Sequence, residues 1–172
     1  MKRSNESGNE RRFTRYASRT TGLEQDQWLQ LAVRTLARRD RTTAQIATLL
    51  AAKGASPAQV RAVVRRLVSS KYLDDAAFAA RWVDRRLARM PMGRARLKEE
   101  LRATGCPEEL VQETLRAAYR RVSERDLAMQ VIATAGPITS PKAFSRVARL
   151  LSQRGFGEDV IETVMRPLLH EE

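Results

Sequence analysis

A repeat of about fifty residues constrains this 172-residue chain more than any other feature. Gly54, Gly105 and Gly155 stand 51 and 50 residues apart in like surroundings. Eight residues before each glycine are Ile46, Leu97 and Val147, and four before are Leu50, Leu101 and Leu151. Six after come Val60, Val111 and Ile161; nine after, Val63, Thr114 and Val164; ten after, Val64, Leu115 and Met165. Thirteen after stand Leu67, Ala118 and Leu168, and fourteen after, Val68, Tyr119 and Leu169. Of these 21 positions 20 are apolar, where the overall apolar content of 42% gives about 9. Chance does not produce that, so the chain is an array of related units.

The offsets define the unit. Apolar residues at six, nine, ten, thirteen and fourteen after the glycine trace one face of a 3.6-period helix, and those before it trace a face on the preceding helix. Glycine at the junction suits the left-handed residue that ends a helix. Ser56-Pro57 reads as an N-cap followed by proline at the first helical position, and Cys106-Pro107-Glu108 reads similarly; Gly157-Glu158-Asp159 opens the third such helix with acids at its positive end. One more helix precedes each pair. Asp26 is placed to cap the first, about Trp28 to Arg38; Asp74 or Asp75 caps the second, which reaches Met90 before Pro91; the third runs from about Ser123 to Thr134. The reading is all-α: three tandem three-helix modules, about nine helices, at 24–73, 74–122 and 123–172. A unit of this size buries little core by itself, so neighbouring modules should pack together. Residues 1–22 carry no period and read as a disordered basic tail.

Nothing points to catalysis or to a cofactor. Phosphate loops, dinucleotide fingerprints, zinc-protease motifs and serine elbows are all missing. Cys106 and His170 are the single residues of their kinds, too few for a Cys/His zinc site or an internal disulfide, and Cys106 reads as a buried structural thiol. No apolar run is long enough to span a membrane and the N-terminus lacks the apolar stretch of a signal peptide, so the expected location is the cytoplasm.

Charge remains. The net charge is +12, with 27 arginines and only 5 lysines. A GC-rich genome explains the ratio of arginine to lysine but not the excess of cations. Residues 1–22 carry +4, 23–73 carry +6, 74–122 carry +3 and 123–172 carry −1. Arg34, Arg38 and Arg41 lie at helical spacing on one side; Arg61, Arg65 and Arg66 form a second group, and Arg81, Arg85 and Arg89 a third. Guanidinium groups pair bidentately with phosphate, so these faces, with Arg94, are the candidate surface for nucleic acid or an acidic partner. Trp82 continues an apolar arc and is assigned to the core.

Several strings resemble the RecX family. Leu73-Asp74-Asp75-Ala76-Ala77-Phe78-Ala79 is similar to its Leu-Asp-Asp signature. Gly93-Arg94, then Leu97-Lys98-Glu99-Glu100-Leu101 and Gly105, resembles a second segment, and Arg154-Gly155-Phe156 a third. Arg41-Thr42, Ile46, Leu50 and Lys53-Gly54 fit the looser first module, and the likeness extends over about 24–169. Cys106 departs from the family's usual Ile or Val, and the tail has no counterpart in it. The resemblance implies a curved, elongated array that binds the RecA–DNA filament and restrains RecA's ATPase, strand exchange and coprotease functions, and with them recombination and the SOS response. Expected partners are the RecA filament and, through the basic surface, single- and double-stranded DNA without sequence preference; the chain is expected to be a monomer.

Two other readings compete. The segment from Ile46 to Leu67 has the outline of a helix-turn-helix transcription regulator, although Leu50 stands where a small residue is usual and only Gln59 is placed to read bases. A passive helical scaffold is opposed by the charge.

Overall fold

The computed structural model describes residues 26–169, so the 1–22 tail and His170 fall outside the described residues. The helices are α1 (26–38), α2 (Thr43–Ala52), α3 (Pro57–Ser69), α4 (Asp75–Arg89), α5 (Arg94–Arg102), α6 (Glu108–Arg121), α7 (Glu124–Thr134), α8 (Pro141–Gln153) and α9 (Glu158–Met165), followed by a 3-10 turn, Arg166–Leu169. No strand occurs among the described residues. The helices form three-helix modules, and the chain divides at Asp74 into two compact units.

The repeat positions carry the cores. Ile46, Leu97 and Val147, and likewise Leu50, Leu101 and Leu151, are fully buried. The three junction glycines adopt left-handed backbone, with φ of 98°, 86° and 80°. Each donates its amide to a carbonyl three residues earlier: Gly54 to Ala51 at 3.0 Å, Gly105 to Arg102 at 2.8 Å and Gly155 to Ser152 at 2.9 Å. The residue after each, Ala55, Cys106 or Phe156, turns inward and is buried. This is a helix C-terminus closed by a glycine that has no Cβ to clash.

In the first unit α1, α2 and α3 enclose a core that includes Ala32, Ile46, Leu50, Val63 and Leu67. Its helix starts close on themselves. Buried Thr42 caps α2, its hydroxyl accepting from the Gln45 amide at 3.2 Å while the Gln45 side chain accepts from the Thr42 amide at 3.4 Å. Ser56 and Gln59 repeat this reciprocal cap on α3, with Pro57 opening the helix as the sequence predicts.

Four local expectations need correction. Asp26 is already helical and pairs with Arg66 at 3.6 Å instead of capping α1. Arg41 lies beyond α1, which ends at residue 38, so it cannot continue a stripe with Arg34 and Arg38. Pro107, not Cys106, is the N-cap residue of α6. Val68 is 45% exposed although the repeat puts it inward. The cause is a turn at Lys71, whose φ is 61°. There the amides of Tyr72 and Leu73 both donate to the Leu67 carbonyl, which brings Leu73 onto the core in place of Val68.

The second unit holds two cores, one of α4–α6 and one of α7–α9, and Leu87 and Tyr119 pack against both. The start of α5 ties them together. Gly93 supplies no side-chain cap. Instead its amide donates to the Arg154 carbonyl at 2.9 Å, that of Arg94 to the Glu124 carboxylate at 2.7 Å, and that of Ala95 to the Gly155 carbonyl at 3.2 Å. A Cβ on Gly93 would fall 2.1 Å from the Gly155 oxygen, and one on Gly155 would fall 2.4 Å from the Arg96 backbone nitrogen. The contact is main chain against main chain and closes only without side chains.

Leu101→Ala should destabilise the protein by about 2–5 kcal/mol, read from denaturant unfolding, because a fully buried leucine leaves a cavity. Gly54 and Gly155 should behave differently despite their shared conformation. A Cβ on Gly54 meets nothing within 4 Å, so Gly54→Ala pays only left-handed strain, about 1–2 kcal/mol. Gly155→Ala adds a backbone clash with α5 and should lower the unfolding midpoint clearly further; equal losses would contradict the close approach.

Candidate nucleic-acid interface

Along α4, positions four apart advance about 40° around the helix, which holds Arg81, Arg85 and Arg89 to one exposed face. The buried residues Ala79 and Val83 lie on the opposite side, while buried Phe78 falls on the arginine side, one turn before Arg81. Trp82 is half-buried against the α4–α6 core, as the sequence predicts.

Arg86, one residue past Arg85, turns towards the protein. Its guanidinium lies 5.7 Å from the Trp82 ring centroid and donates to Glu100, which also accepts from Arg96 Nε at 2.9 Å. Burial pushes the Glu100 pKa up, but the hydrogen bonds from Arg96 and Arg86 outweigh it and hold the carboxyl below its ordinary range. Arg96 also donates to the Gln153 carbonyl at 3.1 Å. Both cations are committed to internal acceptors.

The other predicted residues are placed unevenly. Arg61 and Arg65 are exposed on α3, while neighbouring Arg66 is the one that meets Asp26. Arg34 and Arg38 are exposed on α1, and Arg34 Nε donates back to the Gln30 carbonyl at 3.3 Å. Arg41 is half-buried, and its Nε is buried with no hydrogen-bond partner. Arg94 belongs to the joint: its Nε lies 3.7 Å from Glu124 and its guanidinium 4.9 Å from the Tyr119 ring centroid. Tyr119 donates its hydroxyl to the Met92 carbonyl at 2.9 Å, and burial, with the Glu124 charge, pushes the phenol well above its usual range against the pull of Arg94.

Gln59, the one base-reading candidate, has its side-chain oxygen occupied by the Ser56 amide at 2.8 Å. That weakens the helix-turn-helix reading. Cys106 is buried, which raises its thiol pKa despite a 3.3 Å hydrogen bond from Thr104. Among the described residues no group of His, Cys, Asp or Glu could hold a metal, and no helix is long and apolar enough to cross a membrane. The sequence reading passed over Lys142, Arg146 and Arg149 because the last fifty residues sum to −1. The clue it held was that 141–153 contains no acid.

Family comparison agrees with this architecture. The model of the first three-helix domain of RecX matches residues 29–67, and that of the second matches 74–115. The regulatory protein RecX of Leptothrix cholodnii is 31% identical over 140 residues, covering 81% of this chain and 88% of its own length. The chain belongs to the RecX family. The RecX of Mycobacterium ulcerans, also named a regulatory protein, is 32% identical over 153 residues, 86% of this chain and 88% of the relative. The crystal structure of RecX from Lactobacillus salivarius superposes with a TM-score of 0.75 over 86% of this chain and 97% of that one; at 15% identity it speaks for the fold. RecX relatives are regulatory proteins by name, and the Gly93 and Gly155 that meet at the joint lie in two of the strings that first pointed to the family.

Glu100→Gln should weaken the fold at neutral pH, since the ionised carboxylate holds Arg86 and Arg96. A carboxyl with a depressed folded pKa contributes stability above its unfolded pKa and loses it as pH falls through the folded one. The gap between wild type and Glu100→Gln in urea midpoint should therefore be widest near neutral pH and narrow towards about pH 3; a gap that stays constant would refute the assignment.

Proposed function

We propose that this protein regulates a RecA-type recombinase by lying along the RecA–DNA filament and restraining its growth and ATP hydrolysis, without catalysing a reaction itself. The exposed arginines of α4 carry the proposal: Arg81, Arg85 and Arg89 follow one another at four-residue spacing along the helix and are all exposed. The family resemblance supports the choice of RecA, and the exposed Arg61, Arg65, Arg34 and Arg38 of the first unit offer further phosphate contacts. Binding is to backbone phosphates and therefore indifferent to sequence, a reading supported by the Gln59 side-chain oxygen at the start of α3, which is engaged by the Ser56 amide. The protein acts as a cytoplasmic monomer whose functional division follows the three modules 24–73, 74–122 and 123–172.

A titration of RecA on single-stranded DNA should show ATP hydrolysis slowing at substoichiometric protein. Hydrolysis that stays flat to equimolar protein would remove the filament reading. Replacing Arg81, Arg85 and Arg89 by alanine should flatten the salt dependence of DNA binding by up to three contacts, each about 0.7 in log–log slope on single strands and about 0.9 on duplex. Circular dichroism should show unchanged helicity.

A further inference from the structure

We propose that the polar face of α8 is a second phosphate-binding surface, taking the backbone of a nucleic-acid strand through Lys142, Arg146 and Arg149. This inference rests on the reading that the protein binds DNA, and it locates a site where the charge summed over the last module argues against one.

The observation behind it is how opposite charges are divided inside that module. Helix α8, Pro141–Gln153, contains three cations and no acid. Helix α9 contains Glu158, Asp159 and Glu162 and no cation. The sum cancels, but the surfaces do not. On α8 the buried residues Val147 and Leu151 fix the inner face. At about 100° per residue, Lys142, Arg146, Arg149 and Gln153 fall within an arc of about 60° on the outer face, with Ser145 and Ser152 beside it. Lys142, Arg146, Arg149 and Gln153 are all exposed. Every one of these side chains can donate a hydrogen bond, and none is a carboxylate.

Neutralisation separates this stripe from seven other basic groups of the described residues, six of them in the second unit and one, Arg66, in the first, which meets Asp26. Arg86 and Arg96 share Glu100, Arg94 meets Glu124, Lys98 and Arg102 meet Glu108, and Arg121 meets Asp84. Among the described residues no ion pair involves Lys142, Arg146 or Arg149; Arg146 makes only a long hydrogen bond, 3.4 Å, to the Ala135 carbonyl. Among the described residues these three exposed cations meet no counter-charge, and a polyphosphate backbone, which sheds its own condensed cations when its phosphates are neutralised, is the ligand that gains from meeting them. A membrane surface fits poorly. A helix that lies in a lipid interface must offer it an apolar face, and that of α8 is taken by its own core, with Phe144, Ala148 and Leu150 packed beside Val147 and Leu151.

The test is fluorescence anisotropy of the full chain on a labelled single-stranded oligonucleotide across a salt series. Lys142, Arg146 and Arg149 are replaced together by alanine. The slope should flatten by up to about 2, three contacts at about 0.7 each. Because Arg146 touches Ala135, the double variant Lys142→Ala with Arg149→Ala removes charge without removing a hydrogen bond, and it should flatten the slope by up to about 1.4. Flattening by both variants, with helicity retained and with the effect added to that of the α4 triple variant, establishes the site. A folded double variant with the wild-type slope, in a protein whose binding is salt-dependent, overturns this inference alone. Wild-type protein without salt-dependent binding overturns the DNA-binding reading along with it.

Discussion

An α-helix leaves its first amides without partners, and how those at the start of α5 are satisfied decides the form of the second unit. Glycine at position 93 brings no hydroxyl or carboxylate. Its amide and those of Arg94 and Ala95 take their acceptors from the third module, two of them carbonyls at the end of α8 and one the Glu124 carboxylate. The positive end of one helix thus meets the negative end of another, an arrangement that the dipoles of both favour. Tyr119, Arg94 and Glu124 gather around that contact, and the two cores adjoin across it. By contrast, α2 and α8 carry their own caps in Thr42 and Ser140.

Much of this fold could be read from residue order because helical periodicity and left-handed glycines leave local marks. Leu101 and Leu151 are buried where the offsets place them, and Ser56-Pro57 opens α3. What escaped reading was non-local or depended on a small choice of turn. The apposition of Gly93 and Gly155 joins positions remote in sequence. Val68 lost its core place because Lys71 adopts a left-handed turn and Leu73 folds back, an outcome no periodic pattern encodes. Arg41 missed its stripe because α1 stops before it.

The candidate interface was legible by residue type and illegible by exposure. An arginine count cannot tell Arg85, exposed on α4, from Arg86, which turns to Trp82 and Glu100. Nor can a segment sum reveal that α8 and α9 hold opposite charges on separate helices. Exposed ion pairs contribute little stability, so the main consequence of this pairing is to neutralise part of the surface charge where it stands.

The joint between Gly93 and Gly155 also bears on how such a protein can change over generations. Contacts between side chains drift by compensation, a larger residue on one side answered by a smaller one on the other. Here neither position has a side chain to trade, and a Cβ on either meets backbone. No exchange of paired side chains can relax this joint, so a side chain gained at either glycine has to be met by a shift of the backbone itself.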